Sequence, residues 1–265
     1  MQKNKKHNKR HQMKTSAKFG LLLLMGLIFI VISCDKKEST SDKKSLVKIK
    51  EIRLDVAEPS GMSMALQSGC FWIAGDATGL IQCVDTMGNI LNTINVDLTG
   101  IEGIAYRNID NSLYLLIEEA SQIVKISLTG SEIQRWDIDL GGGGNKGPEG
   151  IVWDTVKSTF WLVNEGAPGV LAQWSPETGV TNIRSLNFAT DYSDVTTDPS
   201  GNGLWIVSDE SASVTHINYA GEILETYKHE LDKAEGVVLS PDAHEVWFVS
   251  DSKRKLYQFR FKTGE

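Results

Sequence analysis

Two sets of acidic residues recur at near-regular spacing along the sequence, and they are its main candidates for chemistry. Members of the first set stand at the head of short apolar segments: Glu58, Glu102, Glu149, Asp194 and Glu235. Members of the second set each follow an aromatic residue by four positions: Asp76, Glu118, Glu165, Asp209 and Asp251. The five histidines fall outside both sets, so a Ser-His-Asp or imidazole-base mechanism has no evident members.

Carboxylates gathered without Cys or His are typical ligands of a hard cation. Calcium (Ca²⁺) binds about 6–8 oxygen atoms in a flexible geometry. Several carboxylates around a narrow space repel one another unless a cation or protons neutralise them. We therefore predict a Ca²⁺ site formed by the first set, with the second set as a weaker outer ring.

A structural role is the alternative. Asp, Asn and Ser at strand ends cap turns by bonding their own backbone, and this fits the second set because Asn164, Ser208 and Ser250 precede three of its acids. It fits the first set less well, since glutamate is a poor turn-capping residue and three of its four in-register acids are glutamates. Glu58 is offset by two residues, and Ser60 takes its register position.

The elements that position these acids follow from an internal repeat. Five aromatic residues mark equivalent blocks at spacings of 42, 47, 44 and 42 residues: Trp72, Tyr114, Trp161, Trp205 and Trp247. Turn glycines recur in step with them: Gly88, Gly130, Gly179, Gly221 and Gly264. We interpret the aromatic residues as packing between repeats and not as a sugar-binding platform.

Each repeat contains four short apolar segments that are typical of strands. In one repeat they lie at 102–106, 113–117, 122–127 and 132–138. Four strands in about 44 residues, repeated, predict an all-β fold, a five-bladed β-propeller with four-stranded blades. The innermost strands then place the first set of acids around one mouth of the central channel.

The ring must also close. The last repeat supplies three strands, and an unassigned alternating segment at about 47–56 precedes the first repeat. Because an open sheet edge invites unwanted pairing, we predict that this N-terminal strand joins the C-terminal blade.

Residues 1–33 are predicted to be a lipoprotein signal peptide. Seven basic residues precede an apolar run at 21–32, in the order of a secretory signal, and the run is shorter than the roughly 20 residues of a spanning helix. Val31-Ile32-Ser33-Cys34 resembles the bacterial lipobox, which implies lipidation of Cys34; an ordinary signal peptide is the alternative. We expect a tether at 34–45, the propeller at 46–265, and an exported monomer anchored to a bacterial membrane, inner or outer.

The charge of the mature chain excludes one class of partner. The leader carries seven of the 27 basic residues and none of the 34 acidic ones, which leaves a net charge of −14. Nucleic-acid binding needs clustered Lys and Arg, so we expect none.

Two other features carry weaker signals. Cys70 and Cys83 fall on adjacent predicted strands in a compartment that permits disulfides, but not in directly opposite register, so a disulfide stays open. The glycine-rich segment at 141–147 precedes a strand, which argues against a phosphate-binding loop before a helix. We interpret it as a flexible loop in which Lys146 could approach an anionic ligand.

Several stretches, taken in order, resemble the SdiA-regulated family (the YjiK/CarP-like proteins) over about 46–265. They are Glu58-Pro59-Ser60-Gly61-Met62, Ile101-Glu102-Gly103-Ile104, Lys146-Gly147-Pro148-Glu149-Gly150-Ile151, Tyr192-Ser193-Asp194-Val195, Val207-Ser208-Asp209-Glu210-Ser211 and Ala234-Glu235-Gly236-Val237. The resemblance implies a five-bladed propeller, a bound Ca²⁺ ion at the matching acids, and an exported or membrane-associated protein. The sequence departs from the pattern at Asp194-Val195, which lacks the glycine, and in its lipobox leader.

Three functions remain open at this point. The first is a non-enzymatic Ca²⁺-binding propeller held at a membrane, which acts as a binding or sensing module. The second is a calcium-dependent hydrolase of phosphate esters or lactones, in which the ion polarises the substrate. The third is a protein-interaction scaffold whose acids are structural. The small-molecule or protein ligand is not identified by the sequence.

Overall fold

The computed structural model describes residues 44–141, 147–166 and 168–262. The signal peptide, Cys34, most of the tether, Lys146 and Gly264 lie outside these residues. The described chain forms twenty strands in five separate four-stranded antiparallel sheets, which confirms the predicted five-bladed β-propeller. No helix within the described ranges is long and apolar enough to cross a membrane.

The strands follow one another from the channel outwards in each blade, except that the first strand belongs to the last blade. This strand is β1 (Ser45–Arg53). Blade 1 comprises β2 (Pro59–Ala65), β3 (Cys70–Gly75), β4 (Leu80–Asp85) and β5 (Ile90–Asn95). Blade 2 comprises β6 (Ile101–Arg107), β7 (Ser112–Ile117), β8 (Gln122–Ser127) and β9 (Glu132–Asp137). Blade 3 comprises β10 (Pro148–Asp154), β11 (Thr159–Asn164), β12 (Gly169–Ser175) and β13 (Gly179–Leu186).

The remaining blades complete the ring. Blade 4 comprises β14 (Asp194–Thr197), β15 (Leu204–Ser208), β16 (Ser213–Ile217) and β17 (Ile223–Lys228). Blade 5 comprises β18 (Ala234–Leu239), β19 (Glu245–Ser250), β20 (Lys255–Lys262) and, at its outer edge, β1.

The N-terminal strand closes the ring as predicted. β1 pairs antiparallel with β20, from Ser45 opposite Lys262 to Arg53 opposite Lys255. The predicted end at residue 56 is wrong by three residues. The chain leaves the sheet after Arg53, where Leu54 donates its N–H to the carbonyl of Arg254, and buries the side chains of Leu54 and Val56 in the core.

The repeated aromatic residues pack between blades. Trp72 on β3 lies in one buried cluster with Ile101 and Ile104 of blade 2, and Tyr114 on β7 packs against Phe160 of blade 3 with ring centroids 4.5 Å apart. All five are buried. Burial of large apolar side chains contributes about 1.5–3 kcal/mol each, so these contacts hold neighbouring blades together.

A disulfide joins Cys70 on β3 to Cys83 on β4. Their backbones are diagonal neighbours, since Cys70 lies opposite Asp85 and Cys83 lies opposite Trp72. Both side chains are buried. The structure therefore contains the disulfide that the sequence left open. It forms although the two cysteines are not directly opposite, because diagonal side chains on one face of a sheet remain within reach of each other.

Reduction of this disulfide is expected to lower the free energy of unfolding by about 3 kcal/mol, because the bond closes a short loop in the unfolded chain. Urea denaturation with and without dithiothreitol measures the difference. The double variant Cys70→Ala/Cys83→Ala is the control and should not respond to the reductant. Equal midpoints for the oxidised and fully reduced wild-type protein would contradict the prediction.

Candidate functional site

One mouth of the channel is a cavity of about 410 Å³ enclosed almost entirely by acids. We call it the acidic mouth; it lies where the innermost strands begin and where the second strands end. Its lining comprises eleven carboxylates, two serines and one lysine: Glu58, Ser60, Asp76, Glu102, Glu118, Glu149, Glu165, Asp191, Ser193, Asp209, Glu210, Lys233, Glu235 and Asp251.

The acidic mouth brings together most of the acids that the sequence singles out. Four members of the first set and all five of the second line the cavity, while Asp194 does not. The sequence predictions missed Asp191, Ser193, Glu210 and Lys233.

Three inner glutamates reach the mouth through the same local irregularity. In blades 2, 3 and 5 the innermost strand has a one-residue bulge. The bulged residues are Glu102, Glu149 and Glu235, respectively. In blade 1 the bulged residue is Ser60. A bulge leaves one residue without a partner and redirects its side chain, and here it turns these side chains towards the channel opening.

The predicted register is wrong by one residue in blade 4. Asp194 pairs directly with Val207, whereas Gly103, Gly150 and Gly236 occupy the corresponding positions opposite β7, β11 and β19. Asp194 therefore takes the place of the motif glycine. Ser193 takes the place of the glutamates and lines the cavity.

A signal for this correction was present in the sequence. Ser60, Glu102, Glu149 and Glu235 each precede their aromatic residue by twelve positions, and so does Ser193, whereas Asp194 precedes Trp205 by eleven. The inner ring of the acidic mouth thus consists of three glutamates and two serines.

The motif glycines allow neighbouring innermost strands to approach closely. A Cβ added to Gly103 would lie 2.7 Å from the carbonyl oxygen of Glu149 in the next blade. A Cβ on Gly150 would lie 2.7 Å from Cα and 2.9 Å from Oδ1 of Asp194. Such contacts are too short for a side chain, so glycine follows the acid because the channel is narrow.

The inner glutamates hold their protons unusually tightly. Burial, with added repulsion from Asp76 and Glu118, raises the pKa of Glu102 to about 8. Burial and repulsion from Glu102 and Glu118 raise the pKa of Glu149 to about 9. Desolvation and like charge both disfavour the ionised carboxylate, so the site retains protons near neutral pH when no cation is bound.

Glu235 differs because it has a cationic neighbour. Burial raises its pKa to about 7, while the charge of Lys233 opposes that rise. Lys233 Nζ lies 3.8 Å from Glu235 Oε1. The acidic mouth is therefore asymmetric, since the one lysine of its lining lies beside Glu235.

Asp194 is completely buried among the innermost strands. Its Oδ2 accepts the N–H of Val237 at 3.0 Å, and its Oδ1 has no hydrogen-bond partner. Burial raises its pKa well above the usual range, although N–H groups of Val237, Val195 and Met62 act in the opposite direction. Val237 and Met62 belong to blades 5 and 1, so this carboxyl reaches across the channel.

Asp191 has a structural role. Its carboxylate accepts the N–H groups of Asp209 and Glu210, both at 3.1 Å, and the hydroxyl protons of Ser193 and Ser208. These bonds hold the turn after β15 against the loop that enters blade 4.

Two acids of the second set tie their blade to the next one. Glu118 accepts the N–H of Gly147 at 3.2 Å, and Asp209 accepts the N–H of Ala234 at 3.2 Å. For these two acids, the alternative role of capping their own turns is replaced by bonds to the start of the following innermost strand.

The donor set of the acidic mouth fits a hard cation. Apart from Lys233, the side chains that line it offer oxygen atoms alone as ligands. Within the described ranges, no three Asp, Glu, His or Cys side chains already converge as metal ligands. An ion there would require the inner glutamate side chains to turn towards it.

Comparison with known proteins places this fold among propellers. A family model described as SdiA-regulated matches residues 35–260. No match was found among the curated proteins. Glutaminyl cyclase from Myxococcus xanthus superposes with a TM-score of 0.66 at 12% identity, covering 83% of this chain and 97% of that one.

Two further solved structures are similar. A nidogen/laminin complex gives a TM-score of 0.54 at 18% identity over 72% of each chain. Hydrazine synthase from Kuenenia stuttgartiensis gives a TM-score of 0.51 at 18% identity, and the superposition covers 76% of this chain and 58% of that one. At such identities the likeness concerns the fold alone.

Proposed function

The chain belongs to the SdiA-regulated family, and from this premise we propose that it is a membrane-anchored propeller that binds one calcium ion at the acidic mouth. In this proposal it acts as a binding or sensing module and not as an enzyme. The membrane anchor is the lipid on Cys34, which lies outside the described residues and rests on the lipobox pattern.

The main support for calcium is the convergence of three inner glutamates, Glu102, Glu149 and Glu235, on one cavity. They come from blades 2, 3 and 5, and their carboxylate oxygens would form the ligand set, with water filling the remaining positions. Asp194, which the sequence also predicts as a ligand, is completely buried and does not line the cavity.

The charge balance supports the same proposal. Eleven carboxylates share the mouth with one lysine, and the pKa values of the three inner glutamates are raised. A divalent cation removes this repulsion more effectively than protons do near neutral pH. An ion held by the three glutamates is off-centre, because Ser60 and Ser193 occupy the other two inner positions.

Hydrolysis has weaker support. Recognition of a phosphate ester uses several cationic groups, and Lys233 is the one cation among the described residues that line the cavity. The likeness to a glutaminyl cyclase at 12% identity transfers no activity to this chain.

Calcium is expected to raise the melting temperature of the chelator-treated protein. A ligand that binds the native state alone stabilises it by about 2.7 kcal/mol at 100 times its Kd. Calorimetry with excess EDTA, and then with increasing Ca²⁺ or Mg²⁺, measures the shift, and elemental analysis of the untreated protein identifies the resident ion. A melting temperature that Ca²⁺ leaves unchanged would favour the scaffold function.

A further inference from the structure

The face opposite the acidic mouth carries exposed aliphatic side chains. We call it the lower face; it is formed by the turns between the first and second strands and between the third and fourth strands of the blades. Leu66, Ile109 and Val156 stand on equivalent turns of blades 1, 2 and 3 and are 66%, 66% and 63% exposed. Met87, on another turn of this face, is 69% exposed.

The two faces differ in this respect. Ile90 and Ile223 begin the outermost strands of blades 1 and 4 beside the lower face, and both are exposed. Around the acidic mouth, by contrast, no described turn residue is an exposed large hydrophobic side chain. Scattered exposed aliphatics are ordinary, and the lower face is distinguished because equivalent turns of three neighbouring blades each carry one.

The chain enters the propeller at this same face. β1 begins at Ser45, opposite Lys262 at the lower end of β20. Any anchor on the N-terminal side of Lys44 therefore connects to the lower face and not to the acidic mouth.

We propose that the lower face lies against the lipid bilayer, with Leu66, Ile109 and Val156 inserted at the level of the headgroups. The acidic mouth then points away from the membrane and stays open to solvent. This inference rests on the membrane anchoring of the proposed function and adds the orientation of the bound molecule.

The tether alone does not set this orientation. Nine residues lie between Cys34 and Lys44, and the ten steps from one to the other span at most about 35 Å when the chain is fully extended. A strand of six or seven residues is about 20–25 Å long, so the tether is long enough for the propeller to turn over. The aliphatic side chains determine which face contacts the bilayer. Each one that moves from water into an apolar layer raises the equilibrium constant for membrane association roughly tenfold.

Electrostatics disfavours the opposite orientation. Turning the acidic mouth to the bilayer would move its eleven carboxylates towards a medium of low dielectric constant. The lower face is not basic, since Asp85 and Asp154 cap its turns and Arg107 is paired with Asp110 at 3.0 Å. We therefore expect insertion into neutral phosphatidylcholine, with little dependence on salt or anionic lipid.

Site-specific quenching tests the orientation in the full-length lipidated chain. A fluorophore is attached at Leu66→Cys, Ile109→Cys or Val156→Cys, and in a matched variant at Glu119→Cys on an exposed turn of the acidic mouth. The proteins are incorporated into phosphatidylcholine vesicles that contain a spin-labelled lipid quencher. We expect at least twofold quenching at the three lower-face positions and none at position 119.

A second variant tests the contribution of the aliphatic side chains. With the label at Met87→Cys, the triple change Leu66→Ser/Ile109→Ser/Val156→Ser should remove most of the quenching while the chain still sediments with the vesicles. These positions are exposed, so the melting temperature should remain unchanged.

The outcomes separate the two proposals. A chain that stays in the supernatant contradicts the lipid anchor and the orientation together. A chain that sediments but shows no quenching at positions 66, 109 and 156, or shows equal quenching at position 119, overturns the orientation alone.

Discussion

Glu149→Gln is expected to stabilise the metal-free protein by about 3 kcal/mol at pH 7. Most substitutions of buried residues, by contrast, destabilise a protein. Burial and neighbouring carboxylates raise the pKa of Glu149 from 4.5 to about 9 in the folded protein. Below pH 4.5 the side chain is protonated in both states. Between pH 4.5 and 9 the unfolded chain loses this proton and the native state keeps it, so the free energy of unfolding falls by about 1.4 kcal/mol per pH unit.

Glutamine does not ionise, so the variant escapes this loss. Urea denaturation in EDTA at pH 5, 7 and 9 should show a gain below about 1 kcal/mol at pH 5 that grows as the pH rises. Glu177→Gln, on an exposed turn of the lower face, is the matched control and should stay within about 0.5 kcal/mol of the wild type. A pH-independent effect, or a loss of stability at pH 7, would contradict the proposed electrostatics.

The same substitution should weaken the binding of calcium, although it stabilises the metal-free protein. Loss of one charged ligand costs about 1.5–3 kcal/mol of binding, so the Kd for Ca²⁺ should rise roughly 10-fold to 100-fold. Titration calorimetry of the wild type and Glu149→Gln measures it. If neither protein binds Ca²⁺ while the variant is still the more stable, the carboxylates destabilise the fold without serving as a calcium site.

The blades could be predicted from the sequence because strand period and turn residues repeat together. β8 was predicted with its observed bounds, 122–127, and the strand order of blade 5 followed because the last repeat lacks the fourth strand that the other repeats have. The end of β1 was not predicted, because the contact of Leu54 with Arg254 depends on tertiary structure.

The candidate site was predicted in outline and not in detail. The acids of the second set line the mouth because they end equivalent strands. The exchange of Ser193 and Asp194 was missed because residue type was given more weight than the twelve-residue spacing. The role of Asp191 depends on the path of a loop, and the Cys70–Cys83 bond depends on the distance between diagonal side chains. Neither the loop path nor that distance leaves a periodic pattern in the sequence.

A chain that begins at Leu54 is expected not to fold, whereas a chain that begins at Lys44 should keep its stability. The shorter chain lacks β1, which makes eight residue pairings with β20 and contributes Ile52 and Leu46 to two hydrophobic clusters. At about 1 kcal/mol for each hydrogen bond, the lost pairing amounts to about 8 kcal/mol. This is comparable with the whole stability of a domain, about 5–15 kcal/mol.

Circular dichroism during thermal unfolding distinguishes the two truncations. The chain from Lys44 also retains the ion pair between Lys44 and Glu225, 2.9 Å long, which links β1 to blade 4; exposed pairs of this kind contribute less than about 1 kcal/mol. The missing strand is the outermost one of blade 5, so its loss leaves β20 free to pair with an added strand. A synthetic peptide of residues 44–53 should therefore restore cooperative unfolding when added to the shorter chain. Cooperative unfolding of the shorter chain without the peptide would mean that the first three strands of blade 5 suffice, and that ring closure by β1 is not required for stability.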